Sequence, residues 1–176
     1  MLFTILLGII YPLGITVVSQ LAFPVQANGN ILNENGKIVG SQLIGQNFSS
    51  PAYFHGRPSV KDYNSSTSSG SNLGPTNQKL IDNVTQRIQQ VKTENNIPSN
   101  FKVPADLVLA SASGLEGYIY VNSAMIQVPR IARARGISES EVVKLIKNNQ
   151  ENAFFGYGKE IVNVLRLNIA LDNFNG

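Results

Sequence analysis

The sequence predicts one N-terminal transmembrane α-helix followed by a compact mixed α/β (α+β) soluble domain. Three observations predict it. Met1 to Phe23 is mainly apolar, and no charged residue occurs before Glu34. At ~1.5 Å per residue, roughly 20 such residues cross the ~30 Å hydrocarbon core of a bilayer. About 150 residues then remain, enough for one core-forming domain. Those residues carry both helical apolar stripes and short apolar pairs bounded by turns. The expected organisation is a transmembrane helix over 1–23, a connector with a short hairpin over 24–39, and a soluble domain over 40–176 that includes a Gly/Ser/Pro-rich loop at 49–77.

A cleaved signal peptide competes for the first segment, since Val25-Gln26-Ala27 offers small residues to a signal peptidase. The apolar run exceeds the ~7–15 residues usual for such a core and no Lys or Arg precedes it, which favours a retained anchor. Gly8, Pro12 and Gly14 lie inside it. Such breakers are tolerated in membranes where neighbouring helices or local adjustment satisfy the freed backbone groups, which suggests a subunit. With only Lys37 soon after the helix, basic residues leave its orientation open.

Along the remaining chain, Asn28-Gly29-Asn30 and Asn35-Gly36 read as turns around Ile31-Leu32 and Ile38-Val39, the expected hairpin. Ser65 to Ser71 is nearly pure Ser/Thr/Gly, a linker composition, but nearby Tyr53, Phe54 and Tyr63 argue that the loop packs onto something. Beyond Pro75, Thr76 or Asn77 caps a helix whose stripe is Leu80, Val84, Ile88 and Val91, ending near Asn95. Leu107-Val108-Leu109-Ala110 is too short to type, and opens into the turn Ser111-Ala112-Ser113-Gly114. A second helix runs from Asn122 or Ser123 to Arg135, with Pro129 as a kink and Gly136 as C-cap. Ser138 with Glu141 forms a capping box for a third, which turns Val142, Leu145 and Ile146 inward. Ile161 to Leu171 fits helix or strand, with helix preferred.

Composition removes several function classes. There is no cysteine and a single histidine, His55, so thiolate and His-rich metal sites lack ligands. The net charge of +3 is mild and the basic residues are scattered apart from Arg130, Arg133 and Arg135, so nucleic acid is not an expected partner. Asp62, Asp82, Asp106 and Glu116 are dispersed, and no catalytic pair is selected.

The strings YPLGITVVSQLAFPVQANG (11–29), GSQLIGQNF (40–48), SPAYFHGRPS (50–59), SSGSNLGPTN (68–77), VPADLVLASASGLE (103–116), QVPRIARARGI (127–137) and VNVLRLNIALD (162–172) closely resemble, in order, the C subunit of the bacterial potassium-transporting P-type ATPase, the Kdp complex. The resemblance implies an accessory subunit of an ATP-driven, high-affinity potassium importer. Its implied partners are a channel-like potassium-conducting subunit and an ATP-hydrolysing pump subunit, together with the lipid bilayer. It further implies single-pass location in the cell (inner) membrane with an extracytoplasmic domain, and help with ATP binding by the pump subunit, a catalytic-chaperone role. The chain carries neither G-x-x-x-x-G-K-[ST] nor D-K-T-G, so the motor lies on a partner. It departs from the family's polar stretch after the Ser/Gly turn, where Glu116-Gly117-Tyr118 and Tyr120-Val121 stand.

Two candidate sites follow. Ser111, Ser113 and Gly114 can present backbone N–H groups, and Gln127, Arg130 and Arg133 lie on the next helix, so this set is the candidate contact for ATP. An external domain meets no ATP, which sets this site against the extracytoplasmic placement. The other candidate is a partner interface formed by Tyr53, Phe54, His55, Arg57 and Tyr63, since buried aromatics and arginine carry much interface energy. Through it the domain caps the outer mouth of the channel-like subunit.

Overall fold

The computed structural model describes residues 1–34, 36–154 and 157–174. It divides into two compact units, Met1–Leu43 and Ile44–Gly176.

In the first unit, helix α1 (Leu2–Ala22) spans 21 residues with a mean hydropathy of 2.1, long and apolar enough to cross a membrane. Its Leu6–Ile10 turn is π-helical, with the Tyr11 N–H reaching the Leu6 carbonyl. Pro12 follows directly: it has no N–H to offer and its ring crowds the carbonyl four residues back, so the widened turn re-registers the backbone bonds just before it. Phe23 leaves helical geometry at φ −139° and ψ 56°, and Pro24 starts the short helix α2 (Pro24–Ala27). Strands β1 (Ile31–Glu34) and β2 (Lys37–Ser41) pair antiparallel, with Asn33 opposite Ile38 and Glu34 opposite Lys37. Asn35, read as part of the turn, lies outside the described residues.

The second unit begins with a long irregular segment before helix α3 (Gln78–Glu94), whose N-cap Asn77 accepts the Lys79 N–H as the sequence predicts. Of the untyped apolar run Leu107–Ala110, only Leu107 joins a 3-10 turn, Ala105–Leu107, and the rest is neither helix nor strand. Strand β3 (Tyr118–Tyr120) leads into α4 (Val121–Arg135), which carries Pro129 internally and ends on Gly136 at φ 69°, the left-handed geometry that glycine adopts without strain. In α5 (Glu139–Asn149) both arms of the expected Ser138/Glu141 capping box form. Strands β4 (Gln150–Phe154) and β5 (Tyr157–Asn163) and helix α6 (Val164–Asp172) complete the unit.

The last segment departs from the helical preference: Ile161 to Asn163 is strand, and the helix starts at Val164. β-Branched Ile161 and Val162 pair with Tyr120 and Ile119 of β3, while the Asn163 side chain accepts the Arg166 N–H and so marks the boundary. The sheet order is β3-β5-β4, antiparallel throughout.

Helices α4, α5 and α6 supply most of the core. Ala124, Val128, Ile131 and Ala132 recur at helical spacing on α4 and meet Val142 and Ile146 of α5, Leu167 and Leu171 of α6, and the cross-strand pair Ile119–Val162. Phe54 belongs to this cluster at 0 % exposure, although it comes from the irregular segment.

The Ser/Gly-rich stretch is docked. Ser69 donates its N–H to the Ser113 carbonyl at 2.9 Å, and Ser59 Oγ donates to the Gly114 carbonyl at 2.7 Å. Gly114 sits at φ 71°, and a Cβ there meets the Ser69 carbonyl at 2.8 Å. Both the turn and the close approach of the two backbones require glycine.

Candidate functional site

A segment without helix or strand has no backbone ladder, so its buried N–H and C=O groups need side-chain partners. For Pro51, Ala52, Phe54 and His55 these come from α4 and α6. Asn168 of α6 accepts the Phe54 N–H at 2.8 Å and donates to the Phe54 carbonyl at 3.0 Å. Gln127 of α4 treats His55 the same way, accepting its N–H at 2.8 Å and donating to its carbonyl at 3.1 Å. Two buried amides thus bind successive residues as a neighbouring strand would. Arg130 reaches the Pro51 carbonyl, Asn95 Oδ1 at 3.1 Å and Gln127 Oε1 at 2.8 Å. Arg135 holds the Ala52 carbonyl at 2.8 Å and Asp172 at 2.7 Å, with its guanidinium 4.8 Å from the Tyr53 ring centre. The Tyr53 hydroxyl donates to Asp172 Oδ2 at 3.1 Å.

The far end is fixed by Tyr63, whose hydroxyl donates to the Arg57 carbonyl. Burial, against the pull of the Arg57 charge, pushes that phenol up to about 12, so it keeps its proton and remains a donor. Asp106, only 5 % exposed, accepts the Tyr120 N–H at 2.9 Å and the Ser123 hydroxyl at 2.6 Å. It thereby places a carboxylate at the N-terminus of α4, where the helix dipole favours negative charge.

His55 Nε2 lies 3.0 Å from the Ser50 carbonyl and Nδ1 lies 3.6 Å from Glu94. Burial first, and the nearby Arg130 charge second, hold the imidazole below its usual 6.5. The unfolded chain then binds a proton that the folded protein resists. Stability attributable to His55 is intact above about pH 6.5 and falls as pH drops toward its folded value. Thermal melts of the full chain between about pH 7 and pH 5 should therefore show a steeper loss for wild type than for His55→Asn. Equal slopes would remove His55 from the acid response.

Two clefts flank Arg57. One, of about 250 Å³, is bounded by the clamped segment and by Arg87, Glu94 and Asn95. The other, of about 450 Å³, includes Asp106, Glu116 and Glu151. Arg57 lines both, yet Nη2 makes only long contacts of 3.4 Å with the Leu109 and Ala110 carbonyls. Its Nε is the one buried side-chain polar atom without a hydrogen-bond partner among the described residues. No ion pair engages it among those residues either.

The structure distributes the candidate residues unevenly. Tyr53, His55, Arg57 and Tyr63 are half-buried along one segment, whereas Phe54 is core and presents no ring to a partner. Of the nucleotide set, Ser111, Gln127 and Arg130 are 4 %, 1 % and 6 % exposed, Gly114 is buried and Arg133 is exposed. The Gly114 N–H donates to Ser111 Oγ at 2.9 Å and the Leu115 N–H to Ser113 Oγ at 3.1 Å, so these turn amides face inward. Gln127 borders the smaller cleft, while Ser111, Ser113, Gly114, Arg130 and Arg133 do not. Sequence reasoning missed Asn168 and Arg135 as clamp residues. The signal for the first was a polar side chain inside the apolar run of α6.

Comparison with known proteins matches residues 1–173 to the family model described as KdpC: K+-transporting ATPase, c chain. The potassium-transporting ATPase KdpC subunit of Mycobacterium tuberculosis (strain H37Rv) is 47 % identical over 175 residues, 98 % of this chain and 93 % of that protein. The KdpC subunit of Koribacter versatilis is 45 % identical over 172 residues, 96 % of this chain and 88 % of its own length. That of Rhodopseudomonas palustris is 44 % identical over 184 residues, covering 96 % and 91 %. From the membrane-length helix to α6, the chain belongs to the KdpC family, the C chain of the K+-transporting ATPase.

Proposed function

We propose that the second unit assembles and stabilises the Kdp complex, using the clamped segment around Arg57 to engage the channel-like potassium-conducting subunit on the external side of the membrane. As a KdpC subunit the chain is part of the Kdp ATPase and contributes to potassium transport. The observation that carries the finer reading is Arg57. A buried guanidinium nitrogen with no protein acceptor costs about 1–3 kcal/mol unless a water or a partner's acceptor completes it, and in this proposal a partner does. A carboxylate completes a guanidinium best, because it accepts two parallel N–H bonds. The segment is pre-organised for that contact, since its backbone is already held by Gln127, Asn168, Arg130 and Arg135. Pre-organisation reduces the ordering entropy lost on binding.

Direct contact with ATP through Ser111, Ser113, Gly114, Gln127, Arg130 and Arg133, as a means of promoting nucleotide binding by the pump subunit, has less support. The Gln127 amide already makes four hydrogen bonds within its own fold, to His55, Ser123 and Arg130.

The test is Arg57→Glu in the intact complex, purified through a tag on this chain. Recovery of the other subunits is expected to fall by about tenfold or more, with Arg57→Lys intermediate, because reversing a charge at a paired interface site costs several kcal/mol. A thermal melt of each variant chain separates lost assembly from lost folding. Undiminished recovery with a folded Arg57→Glu chain would sink the proposal.

A further inference from the structure

We infer that α2 and the β1–β2 hairpin form a membrane-interface element, seated at the boundary between lipid headgroups and acyl chains beside the end of α1. The inference rests on α1 crossing the bilayer.

A chain of hydrogen bonds runs from the last turn of α1 to the base of both strands. Gln20 and Asn28 exchange amide contacts at 3.1 and 3.4 Å, and Asn28 Nδ2 also donates to the Pro24 carbonyl at 2.7 Å. Asn30 donates its N–H to the Val25 carbonyl at 3.0 Å. From β2, Ser41 Oγ reaches the Gly29 carbonyl at 2.6 Å, and just beyond the strand the Gln42 N–H reaches the Asn30 carbonyl at 3.1 Å. The hairpin is therefore tied to the helix end, and the four residues of α2 span only about 6 Å at the helical rise, which keeps the hairpin base close to the end of α1. An interfacial element buries its apolar face ~5–10 Å into the headgroup/acyl boundary, which that closeness allows.

The side chains fit that position. Phe23, Val25, Ile38 and Leu43 are 59 %, 61 %, 70 % and 64 % exposed within their own unit, and Ile31 is 44 % exposed. Ile38 lies opposite Asn33 in the ladder, two residues along β1 from Ile31 and therefore on the same uncovered face. An isolated two-stranded hairpin is marginal in water and needs a surface to bury an apolar face. Charge is arranged to match a hairpin lying along the interface: the unit's charged residues, Glu34 and Lys37, pair in register at the end away from α1, leaving the rest of its exposed face uncharged. Lys37 there suits an anionic lipid surface.

The chain contains no tryptophan, so one introduced ring reports alone. Ile38→Trp and, separately, Leu13→Trp are placed in the full chain, reconstituted in phosphatidylcholine/phosphatidylglycerol vesicles carrying acyl chains brominated at shallow or deep carbons. For Ile38→Trp we expect blue-shifted emission and quenching about twofold stronger by shallow bromines than by deep ones, as for interfacial aromatics; Leu13→Trp reports the deep core. Emission as in water with full acrylamide access overturns the inference. So does blue-shifted emission indifferent to brominated lipid, which would mean that protein covers the hairpin. If the Leu13→Trp ring also ignores deep bromines, the membrane-spanning reading of α1 falls with it.

Discussion

Replacing Asn168 with leucine is expected to lower stability by about 3–5 kcal/mol while leaving the volume of the site nearly filled. Asn168 is 1 % exposed and contributes no apolar surface, so the cost is almost wholly one of polar pairing. Its amide satisfies both backbone groups of Phe54 at once, and leucine strands a donor and an acceptor in a site that water does not reach. Each orphaned group costs about 1–3 kcal/mol. For a chain of this size that corresponds to a fall in Tm of roughly 6–20 °C. Asn168→Asp should do comparable harm, because one carboxylate oxygen still accepts the Phe54 N–H but the other faces the Phe54 carbonyl with no donor in a buried site. Thermal denaturation of the full chain, in detergent and at one pH, ranks the three proteins. A loss below about 1 kcal/mol for the leucine variant would mean that the segment is held by its other anchors alone.

What the sequence made legible were the features with local causes. Asn77, the Ser138/Glu141 box and Gly136 each act on backbone groups within a few residues, so helices α3, α4 and α5 could be bounded from composition and spacing. Strand β3 could not, since three residues carry no period and its identity comes from Asn163, Val162 and Ile161, some forty positions away. Ile161 to Leu171, for which helix was preferred, proved strand over its first three residues for a related reason. An apolar run serves either period, and the choice rests on a tertiary pairing and one capping asparagine.

The candidate site was legible as a list of residues and illegible as an arrangement. Ser123, Gln127 and Arg130 stand at i, i+4 and i+7 on α4, beside the apolar stripe Ala124, Val128 and Ile131. Polar residues at that spacing normally mark a solvated face, which is why Gln127 and Arg130 read as ligand-binding groups. They are buried instead, because the irregular segment lies over that face and needs their hydrogen-bonding groups. No periodicity could announce a covering layer that has none of its own.

Phe54→Ala should be the most damaging single truncation in the clamped segment, costing about 3–5 kcal/mol. The ring is fully enclosed by the core formed with α4, α5, α6 and Val162, and its removal leaves a cavity that Gln127 and Asn168 keep from collapsing by pinning the backbone on both sides. A pinned wall relaxes least, which places the cost toward the upper part of the range. Phe54→Leu retains most of the buried volume and should cost about half as much. The pair discriminates between two roles for the same residue. If Phe54 were a contact for another subunit, alanine would leave the isolated chain with unchanged melting and weaken only the complex. With Phe54 in the core, the isolated chain melts earlier, and hydrogen exchange quickens in α4 and α6, whose buried faces it joins. Assembly then falls only in proportion to the folded fraction, whereas the role proposed for Arg57 predicts that Arg57→Glu lowers recovery of the complex by more than its melt accounts for. That contrast between positions three residues apart separates what holds the segment from what the segment presents.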